Sequence, residues 1–336
     1  MLVVANLALA GCTLAYLAHQ AWWWFALVAF CRSSVAPFVP LASQTLVPAI
    51  APAGQLAEVN GVNAIGGNIA RLVGPAFGGV LLSVGGLRTV ALADAATFAV
   101  AASLLAAVRL SRTVSLTTHS GLVQSWREGW SAVRDHSVLR PLVLVMALVG
   151  FGEGFVSALM APWMADIAGG GSTELGLMLS LQALGGILGG LAVLRYATRW
   201  HSMAMLGSGA LASGVLLLVI FNYSLLMPVG PWPAVVLTAL AGFPFAIYAT
   251  AQAIAVQQHS TDGLRGRIAG LTFGTQGIAQ LAGIALAGPI AATLGPLAIN
   301  AETIAYLPAG AVALTSIRRQ QPGTPTAAGQ PATKAP

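Results

Sequence analysis

Residues 69–79 read IARLVGPAFGG, and residues 278–288 read IAQLAGIALAG at a constant offset of 209 positions. Both stretches lie inside long apolar runs and are rich in small residues. With a gap of one residue, Asp94 matches Glu302 across the same repeat. The chain is therefore predicted to consist of two related halves.

The composition of the 336-residue chain indicates whether the protein folds in water or in a membrane. Hydrophobic residues make up 57% and charged residues 7%, with a mean hydropathy of +0.82. An average soluble domain has about 25% charged residues, so an ordinary soluble enzyme is excluded. The high hydrophobicity also excludes a disordered chain. We conclude that this is an integral membrane protein.

Ten segments are long and apolar enough to cross a bilayer, which takes about 20 residues per helix. They lie at 2–18, 21–49, 56–84, 87–109, 138–166, 172–197, 200–222, 230–257, 264–290 and 295–317. These runs greatly exceed the roughly 9–11 residues of a transmembrane β-strand. The predicted fold is an all-α bundle of about ten transmembrane helices.

Basic residues collect in alternate connections between these segments. Twelve lie on one predicted side, and only Arg88 lies on the other. The twelve are Arg109, Arg112, Arg127, Arg134, Arg140, Arg195, Arg199, Arg265, Arg267, Arg318, Arg319 and Lys334. Basic loops face the cytoplasm, so both termini are predicted to be cytoplasmic in a multi-pass inner (plasma) membrane protein. The same asymmetry explains the pI near 10.0 without a nucleic-acid partner.

The chain divides into four predicted regions, described here in order. A four-span bundle at 1–109 is followed by a cytoplasmic linker at 110–137, a six-helix bundle at 138–317 and a disordered tail at 318–336. Within the linker, residues 121–136 place apolar residues at helical spacing on one face and charged residues on the other. This pattern is typical of an amphipathic helix on the inner membrane surface.

The repeat also shows that the two halves have unequal numbers of spans. In the second half, two spans precede the one at 200–222, whereas no span precedes residue 2 in the first half. The split is thus four and six. Both copies of the repeat enter the membrane from the cytoplasm, the relation found between parallel halves of some transporters. A symmetrical arrangement would have six and six, so two initial helices are expected to be missing.

Four motifs resemble those of the major facilitator superfamily, specifically its bacterial drug, macrolide and siderophore exporter branch. Residues 30–33, FCRS, resemble the mid-helix Arg motif, and residues 74–79, GPAFGG, resemble the antiporter motif GPxxGG. Gly189 and Gly190 with Arg195 and Arg199 resemble a degenerate loop motif GxxxDRxxxR that lacks its Asp. Residues 265–267, RGR, resemble the turn before the eleventh family helix.

The resemblance extends from Met1 to about Arg319, as helices three to twelve of a twelve-helix fold. It implies two pseudo-symmetric bundles and a secondary transporter that works by alternating access. It also implies a role in closing the inner gate for Arg195, Arg199, Arg265 and Arg267, which would otherwise serve only as topology anchors.

Charged side chains inside a membrane cost about 2.5–3.5 kcal/mol on insertion scales and mark functional sites or their partners. At about 1.5 Å per residue, Arg32, Arg71 and Glu153 are predicted near mid-membrane. Arg32 is interpreted as an electrostatic partner in proton coupling, or as part of a structural ion pair. Glu153 is interpreted as a proton carrier or a cation-binding group, with a simple pair with an arginine as the alternative.

The other intramembrane residues have structural and functional interpretations. Arg71 is predicted at the interface between halves, paired with Glu153 or Asp94. Asp94 and Glu302 lie about two turns below the outer face and are expected to tie neighbouring helices together. The small residues Gly74, Pro75, Gly78 and Gly79 would allow the halves to slide closely, or would serve ordinary helix packing.

Two functional hypotheses follow from these patterns. The first is a monomeric proton-coupled exporter of small amphipathic molecules, in which protons and substrate compete for a cavity holding Arg32 and Glu153. The alternative, motivated by the missing helix pair, is a non-transporting fragment or membrane assembly partner. No nucleophile–base pair, metal-ligand cluster or nucleotide-binding loop appears in the sequence, so neither an enzyme nor a cofactor nor a metal site is expected.

Overall fold

The structure is a computed structural model that describes residues 2–19, 21–36, 38–39, 56–107, 130–131, 133–134, 136–196, 200–227, 229–259 and 265–318. All regular secondary structure in these ranges is helical. Most of the linker and the tail from 319 onward lie outside the described residues. Of the predicted amphipathic helix, residues 130–131 and 133–134 are helical, and Val133 is buried in a core of the second unit defined below.

Nine α-helices and one short 3₁₀ helix make up the described part of the chain. They are α1 (Leu2–Ala15), α2 (Trp22–Val35), α3 (Leu56–Ala107), α4 (Leu139–Asp166), α5 (Ser172–Tyr196), α6 (Ser202–Leu226), α7 (Trp232–Gln258), α8 (Arg265–Leu294), the 3₁₀ helix Gly295–Asn300, and α9 (Ala301–Arg318).

The long segment α3 is interrupted at Gly86, where φ is 65° and ψ is −171°. Only glycine adopts this backbone conformation without strain. The break lies between two predicted spans, 56–84 and 87–109. It therefore separates two helical stretches that follow each other without a loop.

Seven segments of the described residues are long and apolar enough to cross a membrane. The stretch Gly66–Ala107 counts as one of them although it contains the break at Gly86, and Leu2–Ala15 is a shorter apolar helix. The all-helical, multi-span fold is thus confirmed. The count of ten spans and its division into four and six remain predictions.

Two compact units divide the chain. The first comprises residues 1–119 and 169–183, and the second comprises residues 120–168 and 184–336. In the first unit α1 packs against α2 and α3. In the second unit α4 packs against α8 and α9, and α6 packs against α7 and α9. The four regions predicted from the sequence are neither confirmed nor contradicted by this division.

Glycines allow α5 and α7 to approach closely in the second unit. A Cβ atom at Gly185 would overlap the carbonyl oxygen of Ala239, and one at Gly189 would overlap that of Phe243. By contrast, a Cβ atom at Gly190 would have no described atom within 4 Å apart from its chain neighbours and the backbone of its own helix. The close packing of these two helices therefore requires glycine at positions 185 and 189.

We predict that Gly185→Ala destabilises the protein by about 1–3 kcal/mol, because the added methyl group forces two backbones apart. Gly190→Ala is the matched control on the same helix and should be neutral or slightly stabilising, since alanine favours helix formation. The apparent melting temperature of each variant in detergent measures the difference. Equal melting temperatures would contradict the close contact.

A histidine pair lies where α4 begins and α7 ends. His136 Nδ1 accepts hydrogen bonds from the backbone N–H groups of Val138 (3.2 Å) and Leu139 (3.3 Å). The ring of His259 lies 5.6 Å from that of His136, nearly perpendicular to it. His259 Nδ1 donates to the carbonyl of Ala255 at 3.0 Å. Burial, and secondarily the imidazole of His259, lowers the pKa of His136.

This lowered pKa predicts a loss of stability in mild acid. Below the ordinary value of 6.5, the unfolded chain takes up a proton at His136 before the folded chain does. The contribution of His136 is therefore complete above that pH and declines as the pH falls toward the folded-state pKa. We expect the melting temperature of the wild-type protein to fall between pH 7.5 and pH 5, a range set by the unperturbed histidine pKa of about 6.5.

His136→Asn should reduce this pH dependence, because the asparagine oxygen accepts the same backbone hydrogen bonds without titrating. His136→Ala should lower the melting temperature at neutral pH, since the acceptor is lost. A His136→Asn protein as acid-sensitive as the wild type would show that other groups cause the effect.

Candidate functional site

One charged cluster lies within the first unit and joins three helices. We call Thr13, Arg32, Asp94 and Phe98 the Arg32 cluster. Arg32 Nη1 donates to Asp94 Oδ2 at 2.9 Å and to Thr13 Oγ1 at 2.7 Å. Thr13 Oγ1 also lies 3.1 Å from Asp94 Oδ2. The cluster thus connects α1, α2 and α3 through one guanidinium nitrogen.

The charges of the Arg32 cluster compensate each other. The guanidinium carbon of Arg32 lies 5.5 Å from the centroid of the Phe98 ring, within the range of a cation–π contact. The side chains of Arg32 and Asp94 are each 35% exposed. Because the positive charge has both a carboxylate and an aromatic face, neither charge is left uncompensated in an apolar environment.

The Arg32–Asp94 ion pair bears on the partners predicted for Asp94 and Arg71. Asp94 was expected to pair with Arg71 or to tie neighbouring helices, and it pairs with Arg32, joining α2 to α3. Arg71 is exposed and makes no ion pair among the described residues. The alternative pairing of Arg71 with Glu153 is a prediction that the structure does not test.

A second polar cluster lies within the second unit and is built around Glu153. We call Glu153, Gln252, Gln276 and Tyr306 the Glu153 network. Gln276 Nε2 donates to Glu153 Oε2 at 3.2 Å, and Tyr306 Oη donates to Glu153 Oε1 at 3.4 Å. Gln252 Nε2 donates to Gln276 Oε1 at 2.9 Å. Four helices, α4, α7, α8 and α9, each contribute one side chain.

Glycines beside Glu153 make this network possible. A Cβ atom at Gly150 would overlap the carbonyl oxygen of Gln276, and one at Gly154 would overlap that of Gln280. A Cβ atom at Gly152 would lie 2.8 Å from Glu302 Cα. Since none of these glycines has a side chain, α8 and α9 approach α4 closely on both sides of Glu153.

Among the described residues, the carboxyl groups of Glu153 and Glu302 have no cationic partner. Within the part of the chain that the structure describes, neither Glu153 nor Glu302 lies within 4.0 Å of a basic nitrogen. Glu302 is only 7% exposed, and its Oε2 atom is buried without a hydrogen-bond partner there. Asp94 and Glu302 match in the sequence repeat, but of these two acids Asp94 alone forms an ion pair with a described residue.

The GPxxGG-like segment packs against the beginning of α5, within the first unit. A Cβ atom at Gly79 would overlap the carbonyl oxygen of Ser172, and Ser172 Oγ donates to the Gly79 carbonyl at 3.2 Å. The backbone N–H of Ala76 donates to Ser180 Oγ at 2.9 Å. At Gly74 and Gly78 the corresponding Cβ positions are free of other described atoms within 4 Å.

The structure describes only part of the predicted inner gate. Arg195 is exposed near the end of α5, and Arg267 is half-buried and has an interaction partner. Arg265 begins α8, but its side chain lies outside the described atoms, as does all of Arg199. The gate assignment of the four arginines therefore remains a prediction.

Sequence reasoning missed the neutral members of both clusters. Thr13, Gln252, Gln276 and Tyr306 are not charged, and each lies in a predominantly apolar helix. The available signal was the presence of side-chain amides within predicted spans, where polar groups require a partner in the protein. That signal indicates that a partner exists but does not identify it.

We predict that Asp94→Asn destabilises the first unit by about 1–3 kcal/mol, because Arg32 keeps its charge and loses its carboxylate. The partial exposure of both side chains limits the effect. The double variant Arg32→Gln/Asp94→Asn should recover part of this loss, since no lone charge remains. Melting temperatures of both single variants and the double variant form the test, and strict additivity would argue against the pair.

Comparison with known proteins is consistent with these features. The model of the Major Facilitator Superfamily matches residues 1–284. The multidrug efflux pump Tap of Mycobacterium tuberculosis is 28% identical over 302 residues, covering 87% of this chain and 69% of that protein. Macrolide efflux protein A of Streptococcus pyogenes is 24% identical over 277 residues, covering 81% of this chain and 67% of that protein.

Solved structures show the same fold. A bacterial homologue of the iron transporter ferroportin in an inward-facing state gives a TM-score of 0.67 at 15% identity, covering 94% of this chain and 80% of that chain. A bacterial homologue of the lysosomal transporter Spinster gives 0.61 at 15% identity, with the same coverage. Because the family model matches most of the sequence, this multi-span membrane protein belongs to the Major Facilitator Superfamily.

Proposed function

We propose that this protein is a secondary transporter that exports small amphipathic molecules in exchange for protons. The observation that carries the proposal is Glu153, an acidic side chain in a transmembrane helix that has hydrogen-bond partners and no cation among the described residues. The efflux proteins among the relatives support export as the direction and drugs or macrolides as the class of substrate.

Glu153 is suited to exchange a proton because its neighbours accommodate both of its charge states. When Glu153 is ionised, Gln276 and Tyr306 donate hydrogen bonds to its two oxygens. When Glu153 is protonated, it becomes a donor, and the rotatable amide of Gln276 offers an acceptor. If Glu153 were paired with an arginine, its protonation would leave that positive charge unpaired. With neutral partners, neither charge state of Glu153 has this cost.

Proton binding and substrate binding would then compete for the same side chain. A cationic or polar group of a substrate approaching Glu153 favours the ionised form, and protonation of Glu153 favours release of that substrate. A mechanism of this kind converts a proton gradient into substrate movement. We assign Arg32 and Asp94 a different role, that of a charge-compensated link between helices of the first unit.

The remaining details of the transporter follow from the same proposal. Ten transmembrane spans divided four and six, cytoplasmic termini and a plasma-membrane location agree with the distribution of arginines and with the bacterial efflux relatives. Alternating access by movement of two bundles agrees with the sequence repeat and with the inward-facing structures that share the fold.

The test is transport by the full chain in proteoliposomes with an imposed pH gradient. The probes are a radiolabelled macrolide and a fluorescent cationic dye. We expect Glu153→Gln to reduce gradient-driven transport on the order of tenfold or more, because the proton-exchanging group is lost. Asp166→Asn, which removes an exposed carboxylate at the end of the same helix, is the matched control and should transport normally.

Two results would contradict the proposal in different ways. Gradient-driven transport that survives Glu153→Gln unchanged would remove Glu153 from the coupling mechanism. A wild-type protein that is folded in the membrane and moves neither probe would favour the non-transporting alternative.

A further inference from the structure

Glu302 belongs to the surroundings of Glu153 although the sequence repeat relates it to Asp94. Glu302 lies one helical turn before Tyr306 on α9, so the two side chains share a face of that helix. Tyr306 bonds directly to Glu153. The contact of Gly152 with Glu302 Cα brings the backbones of α4 and α9 together beside the same carboxyl group.

The described polar groups around the two acids lie on α7, α8 and α9, whereas α6 packs against Tyr306 through Gly214. Glu302 lies on the turn of α9 that contacts Gly152, the residue before Glu153, and Tyr306 follows one turn later on the same helix. From α7, the buried Tyr248 packs its ring 5.8 Å from that of Tyr306, and Gln252 joins the network through Gln276 of α8. The charged group described on α8 is Arg267, which lies nine residues before Gln276.

Two of these groups are deeply buried and lack hydrogen-bond partners. Tyr248 is 1% exposed, and its Oη atom has no partner among the described residues, as is also true of Glu302 Oε2. An ionised carboxylate in such surroundings would need a cation or several donors. Since neither is present within hydrogen-bond distance in the described region, the geometry favours a carboxyl group that carries a proton.

Two acids that interact across an apolar interior do not ionise independently. When two carboxyl groups face each other without a cation, the negative charge of one disfavours ionisation of the other, and their protons leave in separate steps that belong to the pair. The Glu153 network supplies donors to one carboxylate only, through Gln276 and Tyr306. The pair is therefore built to hold one negative charge.

We propose that Glu153 and Glu302 form a proton-binding pair that holds one negative charge, so that the charge on either acid controls the pH at which the other exchanges its proton. The proposal rests on the proposed function, because it extends the coupling site from one carboxyl group to two. Tyr306 connects the two acids by donating to Glu153 from the helix that carries Glu302.

The test is the pH dependence of transport, compared between the wild type and variants of Glu302. We expect Glu302→Gln to move the pH midpoint of probe exchange to lower pH by about one unit or more, because a like charge near Glu153 has been removed. Glu302→Asp keeps an acid in place and should retain a midpoint closer to that of the wild type. A purely structural role would lower the melting temperature and the rate while leaving the midpoint unchanged, which would overturn the pair.

An infrared titration of the wild-type chain tests the pair without transport. We expect the absorption of protonated carboxyl groups to disappear in two separated steps attributable to the pair, and Glu153→Gln to remove one of these steps. If the wild type shows a single step, and Glu153→Gln removes that step so that no second acid titrates, the proposal is overturned. This measurement distinguishes failure of the acid pair from failure of the proposed transport function, and it remains informative if Glu302→Gln does not fold.

Discussion

The close approach of α4 to α8 and α9 is the contact on which the second unit depends. Glycines at 150, 152 and 154 allow backbone to lie against backbone on both sides of Glu153. A larger side chain at these positions would separate the helices and move Gln276 and Tyr306 away from the carboxylate. Because a polar group in an apolar interior must find its partner within the protein, the glycines and the acid form one structural feature.

The two units accommodate intramembrane charge in different ways. In the first unit, Arg32 and Asp94 neutralise each other, with Thr13 and Phe98 completing the surroundings of the guanidinium. In the part of the second unit that the structure describes, the hydrogen-bond donors to Glu153 are neutral and Glu302 has no partner at Oε2. A compensated pair favours a fixed structure, whereas an uncompensated acid favours exchange of a proton. This contrast supports placing the coupling chemistry in the second unit.

The sequence predicted the elements of this fold more accurately than their partners. The span predicted at 138–166 corresponds to the helix Leu139–Asp166, and the boundary between 56–84 and 87–109 corresponds to the break at Gly86. Apolar length and glycine are local signals, so they can be found without knowing the rest of the structure. The pairing of Arg32 with Asp94, 62 positions apart, is not local, and for that reason the sequence did not identify Arg32 as the partner of Asp94.

Composition and local sequence patterns were enough to identify the membrane environment, the helical class and the family of this protein. Few charges, long apolar runs and backbone groups that must bond internally in lipid leave helices as the only spanning structure for such segments. Which polar residues lie next to each other depends on how the helices pack. Asp94 and Glu302 match in the repeat, but Asp94 pairs with an arginine, whereas the backbone of Glu302 packs against Gly152, beside Glu153. The difference follows from helix packing, because side chains on separate helices become neighbours only where the glycines and buried faces of those helices bring them together.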